Sequence, residues 1–372
     1  MSNNSISITY PSIHPGTEKS DVIIHSGQPD LVKLFYENRE DKRTRRFFIT
    51  DSTVASLECM QEFTSRFDDG FYENDCLLII GSGEKSKTIE TVLSIVKAAT
   101  DANFSRKDCF VGIGGGVICD LIAFTASIFK RGLQVQFVPT TLLAMVDSAI
   151  GGKTSCDFDE CKNIIGTFYP AAQIDIFPEF IQSLPEKQYN SGLAEAFKTG
   201  LLFDKDLYEI FKNDTDKIFS RDKELILEII KKSVQAKAKV VSKDFTEENI
   251  RICLSLGHTF GTALENLAGS GAITHGAAIA WGIGRSVELA SKKDYCLESF
   301  KTEIFSILQK YGWDTSTQPQ IIRGGGIAER LLTEMHKNKK NITDKVKIII
   351  QKGITDTVIE EVEDKDILSV LK

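Results

Sequence analysis

Apolar and polar positions follow two different periods along the chain. In the first half, apolar runs of strand length end at glycine, acidic or hydroxyl residues and lead into helical stretches. Residues 1–28 predict a short strand in SISITY, a loop and a second apolar run in DVIIHSG. RFFITD (46–51) ends on Asp51 and is followed by Ser52 and a helix. The unit recurs in CLLIIGSGEKSKTIETVLSIVKAAT (76–100), again in DCFVGIGGGVICDLIAFTASIFKRG (108–132), and in LQVQFVPTTLLAMVDSAIGGKT (133–154). Beyond IDIFPEF the period becomes helical and stays so over 179–335, while the tail KVKIIIQKGITDTVIEEV predicts two strands and a turn. The pattern predicts an α/β N-terminal domain over 1–178, arranged like a nucleotide-binding sheet, and a mostly α-helical C-terminal domain over 179–372 that carries candidate metal- and substrate-binding residues.

The segment Gly114–Pro170 is the centre of this reading. Its Gly114-Gly115-Gly116 run joins a buried strand to a helix, where backbone N–H groups and the helix dipole favour a pyrophosphate. It is neither a strict GxGxxG nor a Walker sequence. Thr140 and Thr141 follow the next strand, with hydroxyls suited to a ribose or nicotinamide. Asp147 and Lys153 lie where this segment leaves the sheet, and Lys162 and Asn163 follow in a polar loop. Framed by glycines, Lys153, Lys162 and Asn163 form a candidate anion pocket; solvated surface is the alternative. Asp51 is a ribose ligand or a helix N-cap. Asp120 fits a structural role near the helix start.

In the second half, Glu195 and Lys198 are three apart on one helical face. Lys237 lies on a long amphipathic helix. IRICLSLGHTFGTALENLAG places Arg251 and His258 seven apart, two turns along one face, and His275 heads another helix. His258 and His275 sit in glycine-flanked apolar segments, where hydrogen-bonded core histidines are common. With Glu195 they would make a three-ligand site of the catalytic zinc type.

Composition narrows the function classes. The chain has 372 residues and a net charge of −7, which disfavours nonspecific nucleic-acid binding. Eight cysteines contain no CxxC pair, and most lie in apolar runs, which reads as a reduced, cytoplasmic protein. Cys156 and Cys161 have spacing that only weakly fits metal ligation. The N-terminal stretch lacks a signal-peptide pattern, and no apolar run approaches the roughly 20 residues of a membrane span.

The segments GEKSK, GGGVICD, KRG, PTTLLAMVDSAIGGKT, KNIIGTFYP, GLAEAFK, RICLSLGHTFG and HG resemble, in order and approximate spacing, the sugar phosphate cyclases of the 3-dehydroquinate synthase family. The resemblance implies the dehydroquinate synthase-like fold, a homodimer, NAD and Zn²⁺, with Co²⁺ as an alternative. It implies NAD held by Asp51, Glu84, Lys87, Gly115, Gly116, Asp120, Thr140, Thr141, Asp147 and Lys162, and metal held by Glu195, His258 and His275. Lys153, Asn163 and Arg131, the last from the second subunit, would hold a substrate phosphate. Lys198 would meet a hydroxyl near the metal, Lys237 and Arg251 a carboxylate, and Lys339 or Lys340 would add charge. The implied reaction oxidises a ring hydroxyl, eliminates phosphate, returns the hydride, opens the ring and closes a carbocycle by aldol addition.

Ser255, Thr262 and Ala277 depart from the asparagine, histidine and glutamate of the quinate-forming pattern, and Cys119 replaces a usual glycine. Lys237 and Arg251 favour a seven-carbon keto-acid sugar phosphate. The alternatives are a cyclase making 2-deoxy-scyllo-inosose or a valiolone from glucose 6-phosphate or sedoheptulose 7-phosphate, a metal-dependent polyol dehydrogenase, and a silent binding protein.

Overall fold

The computed structural model describes residues 4–10, 18–37, 44–68, 72, 74–159, 161–269, 271–337 and 345–372. Lys339 and Lys340 lie outside them. The chain forms two compact units, Met1–Leu184 with Lys237–Thr246, and Pro185–Ala236 with Glu247–Lys372. A division at 178/179 would fall at the start of the 3₁₀ turn Pro178–Ser183. Phe180 and Ile181 of that turn are buried.

The first unit is built on seven strands. In chain order they are β1 (Asn4–Thr9), β2 (Lys19–Ile24), β3 (Arg46–Asp51), β4 (Cys76–Ile80), β5 (Cys109–Gly114), β6 (Gln134–Pro139) and, after a hairpin, β9 (Gln173–Ile176). Their spatial order is β1-β2-β9-β6-β5-β3-β4, parallel except for the β1–β2 pair. The interior strands β3 and β5 are nearly continuous apolar runs because helices cover parallel sheets on both faces. Phe47, Phe48, Phe110 and Val111 are all 2 % exposed or less. Burial of each such side chain contributes about 1.5–3 kcal/mol.

The helices of this unit are α1 (Ser52–Ala55), α2 (Glu58–Asp68), α3 (Ile89–Asp101) and α4 (Gly116–Ile128). Thr88 caps α3 through Thr91 N, and α4 starts directly from the glycine run with Gly115 at its N-cap. At Gly114 a Cβ would stand 2.4 Å from Ile118 Cγ1, so the β5–α4 turn closes only without a side chain.

Two expectations are corrected here. The polar loop expected at Lys162 and Asn163 is an antiparallel hairpin of β7 (Lys153–Phe158) and β8 (Cys161–Phe168). Its buried residues include Thr154 and Ser155, whose polarity concealed the strand. Asn163 takes φ 54°, and the register shifts between Cys156 and Phe158. The helix expected after Thr141 includes a π-helical turn over Ala144–Ser148.

The second unit holds α5 (Glu186–Phe203), α6 (Lys205–Asn213), α7 (Thr215–Phe219), most of α8 (Lys223–Val241), α9 (His258–Ala268), α10 (His275–Lys292), α11 (Glu298–Lys310), α12 (Ile327–His336) and α13 (Asp364–Ser369). The hairpin of β10 (Val346–Gly353) and β11 (Asp356–Val362) completes it. α9, α10 and α12 share a core with β10 around Phe260, Trp281, Leu331 and Ile348. No helix among the described residues is long and apolar enough to cross a membrane.

Arg251 and His258 do not share a helix. Arg251 is in a 3₁₀ turn, Ile250–Ser255, which Leu256 and the left-handed Gly257 (φ 79°) separate from α9. A Cβ on Gly257 would also stand 2.6 Å from the Ile279 carbonyl. The glycine therefore turns the chain and lets it pass α10, and His258 becomes the first residue of its helix.

Candidate active site

The candidate metal centre lies within the second unit. Glu195 comes from the middle of α5, His258 from the start of α9 and His275 from the start of α10. One ligand atom from each lies within 4.8 Å of the others. The imidazole centroids are 5.3 Å apart and the rings are inclined at 68°. The start of α10 is pinned twice: Thr274 caps Ala277 N, and Gly276 N donates to Ser191 Oγ at 2.9 Å. α5 thus fixes Glu195 and the head of α10 together.

The donor set fits a divalent cation. Glu195 is 1 % exposed, and neither carboxylate oxygen accepts a hydrogen bond of normal geometry. Lys198 forms a close ion pair with Oε2, and His275 Nε2 is 3.6 Å from Oε1. His258 Nδ1 lies 3.3 Å from the Leu256 carbonyl, and His275 Nδ1 lies 3.2 Å from Glu265 Oε2. These acceptors assign the proton of each ring to Nδ1 and the lone pair to Nε2. Burial opposes a charge on His275, but the hydrogen bond and charge of Glu265, with the charge of Glu195, hold its basicity above the ordinary histidine value. One carboxylate and two neutral imidazoles are the ligands of a catalytic zinc site.

A second cluster lies in the first unit, beside the β5–α4 glycine turn. Lys87 Nζ donates to Asp120 Oδ2 at 2.6 Å and to Asn163 Oδ1 at 2.5 Å. Ser155 Oγ donates to the same Asn163 oxygen at 2.7 Å, and Asn163 N donates to Asp157 Oδ1 at 2.8 Å. Burial works against a charged Lys87, but Asp120 and Glu84 outweigh it and raise its basicity. Lys162 stands 3.9 Å from Glu84. Lys237, near the end of α8, donates to both the backbone and the side chain of Asp147 at 2.6 Å.

The other expected residues are placed individually. Asp51 Oδ1 accepts from Thr53 N and Val54 N, so its capping role is present. Gly115 and Gly116 approach Thr141 and Ser148 closely: an added Cβ would stand 3.0 Å from Thr141 Cγ2 and 2.9 Å from Ser148 Oγ. Thr140 N donates to the Gly114 carbonyl, while Thr141 Oγ1 accepts from Ala144 N. Lys153 opens β7 and is exposed. Arg131 is exposed with φ 68°, and Arg251 is 1 % exposed. Ser255 Oγ donates to Glu247 Oε1 at 3.4 Å, and Thr262 lies one turn beyond His258 on α9.

Sequence reasoning missed Glu265, Ser155 and Asp157. Glu265 carried a signal, since it follows His258 by seven residues and so shares its helical face. Ser155 and Asp157 carried none, because the hairpin that brings them to Asn163 was read as a loop.

Comparison with known proteins matches both halves. The model of the 3-dehydroquinate synthase N-terminal family covers residues 77–191, and that of the C-terminal family covers 192–341. The 3-dehydroquinate synthase of Dictyoglomus thermophilum is 34 % identical over 344 residues, 92 % of this chain and 93 % of the relative. That of Pelobacter propionicus is 33 % identical, over 96 % and 98 %. A structure of 2-epi-5-epi-valiolone synthase from Streptomyces hygroscopicus subsp. jinggangensis, with NAD⁺ and Zn²⁺ bound, superposes with a TM-score of 0.81 at 23 % identity over 95 % of each chain. A 2-deoxy-scyllo-inosose synthase complexed with carbaglucose-6-phosphate, NAD⁺ and Co²⁺ gives 0.84 at 22 % over 99 % of each chain. An iron-containing alcohol dehydrogenase from Thermotoga maritima shares the fold at 0.62 and 14 %, covering 88 % of this chain and 90 % of that one.

Proposed function

The chain belongs to the 3-dehydroquinate synthase family, and on that premise we propose that it converts a seven-carbon keto-acid sugar phosphate to a carbocycle with loss of phosphate. The observation that carries the reading is the convergence of Glu195, His258 and His275 in a chain with these relatives. Glu195, His258 and His275 would hold Zn²⁺ or Co²⁺, and the glycine turn with Lys87 and Asp120 would flank NAD. When bound, NAD would supply reversible hydride removal, and the cation would polarise the oxygen on the substrate carbon that is oxidised and then reduced.

The chain's own groups bind, orient and supply charge. Lys198 pairs with Glu195 and can donate to a substrate hydroxyl beside the metal ligands. Lys237 and Arg251 are the cations proposed for the substrate carboxylate. Arg251 retains its charge even when buried, because guanidinium does not deprotonate in proteins. Lys153 and Asn163, on paired strands, are proposed to hold the phosphate. Phosphate leaves by β-elimination once the neighbouring C–H has been made acidic, and its own oxygen accepts that proton. Thr262 offers a hydroxyl where the quinate-forming pattern has histidine, so phosphate binding depends more heavily on Lys153, Asn163 and Arg131. The exposure and left-handed backbone of Arg131 support its presentation to a second copy in a homodimer. Eight free cysteines support a cytoplasmic setting.

The test incubates the protein, NAD⁺ and Zn²⁺ with the keto-acid substrate, glucose 6-phosphate or sedoheptulose 7-phosphate, reading inorganic phosphate and NADH absorbance. The expected result is phosphate release from the keto acid without net NADH. Net NADH would identify a dehydrogenase, and release from only another sugar phosphate would reassign the substrate. His258→Ala should abolish release and leave NAD affinity largely intact.

A further inference from the structure

We infer that Glu265 is a positioning residue of the metal centre, setting the orientation and donor strength of His275; the inference rests on the metal reading above. α9 carries a proposed ligand, His258, at its first residue and Glu265 two turns later on the same face. The Glu265 side chain is 5 % exposed, and its Oε2 lies 3.2 Å from His275 Nδ1. One helix thus supplies a ligand and orients the ligand that heads its neighbour.

The two imidazoles have unequal supports. His258 Nδ1 faces a neutral acceptor, the Leu256 carbonyl, whereas His275 Nδ1 faces a carboxylate. A carboxylate behind the ring holds the proton on Nδ1, fixes the ring plane and increases the donor strength of Nε2. His275 Nε2 is the atom 3.6 Å from Glu195 Oε1. Glu265 also answers a charge imbalance. Lys198 already pairs with Glu195, so a divalent cation would bring the local positive charge to three against one carboxylate. Glu265 supplies a second, from behind a ligand rather than on the metal.

The test compares the full-length wild type with Glu265→Gln and Glu265→Ala. Gln keeps the volume and an acceptor oxygen but loses the charge. Zinc affinity is measured by chelator competition, with a thermal melt of each zinc-free protein as the folding control. Affinity should fall by roughly 10-fold in the Gln variant and toward 100-fold in the Ala variant, the range for loss of such a support. In cobalt-loaded protein, the paramagnetically shifted Nδ1–H resonance of His275 should exchange faster with solvent, while that of His258 is unchanged. Wild-type zinc affinity in the isosteric Gln variant, or equal acceleration of both N–H protons, would overturn the inference. A wild type that binds no stoichiometric zinc would overturn the metal reading instead.

Discussion

Gly276 is the most confined position beside the proposed metal ligands. A Cβ built there would stand 2.0 Å from the Ser191 carbonyl oxygen and 2.6 Å from its carbonyl carbon and Cα. Real Cβ contacts essentially never fall under 3.0 Å, so Gly276→Ala must part α10 from α5 locally by about 1 Å. All three contacts are backbone atoms, so no rotamer change can absorb the clash. Glu195 lies one turn beyond Ser191 on α5, and His275 precedes Gly276. The displacement therefore falls between two proposed ligands of one ion, whose bonds tolerate only about 0.2 Å. We expect an overpacking cost of about 1–3 kcal/mol. That lowers the zinc-free melting temperature by about 2–12 °C at about 2–4 °C per kcal/mol. Zinc affinity should fall by at least about tenfold, equivalent to 1.4 kcal/mol. Gly284→Ala is the control, because its Cβ would stand 3.3 Å from the movable Leu308 Cδ1. Chelator competition and melts on both variants decide the matter. Wild-type zinc affinity in Gly276→Ala would refute the claim that this helix contact sets the ligand spacing.

Two further outcomes are expected. Asp51→Asn should keep the cap, whereas Asp51→Ala should lose about 0.5–2 kcal/mol in urea melts; a fall in NAD affinity confined to the Ala variant would assign Asp51 to capping, and an equal fall in both to the ribose. Because the folded-state pKa of His275 is raised, its contribution to zinc-free stability is complete below the ordinary histidine value near 6.5 and is lost as pH rises through the folded value. The urea midpoint of zinc-free protein should therefore fall across that window, with His275→Gln lacking this component, while zinc affinity rises because binding needs the neutral ring; a His275-dependent midpoint that climbs with pH would contradict the assignment.

The sheet was legible in the sequence because a buried parallel strand leaves a short apolar run bounded by glycine or an acidic residue, as in CFVGIG and RFFITD. The three proposed metal ligands were legible as residue types near glycines, but their convergence was not, since it depends on contacts between helices far apart in sequence. The β7–β8 hairpin was hidden because its consecutive buried residues, Thr154, Ser155 and Cys156, do not read as an alternating apolar face. The Arg251–His258 spacing misled for a related reason. Seven residues mean two helical turns only if the helix is continuous, and the left-handed Gly257 interrupts it. Glu265 had the right spacing to be noticed, but a glutamate in a helix has so many solvated counterparts that spacing alone could not distinguish it.

The proposed site lysines share a property that connects fold to chemistry. The side chains of Lys87, Lys198 and Lys237 are 6 %, 2 % and 7 % exposed, and each pairs with a carboxylate. An unpaired ammonium at such depth would shed its proton, since burial penalises the charged form. The partners are Asp120, Glu195 and Asp147, which are themselves the residues proposed for cofactor or metal. Each pair therefore gives a buried lysine a counter-charge before any ligand arrives, and gives its carboxylate one in return. A cation at Glu195 would compete directly with Lys198 for that carboxylate. Lys198 would then be a donor with a weakened internal partner, suited to donate to a substrate oxygen in its place. Metal binding and substrate binding would thus be linked through a single i,i+3 side-chain pair on α5, by electrostatics that requires no large movement of that helix.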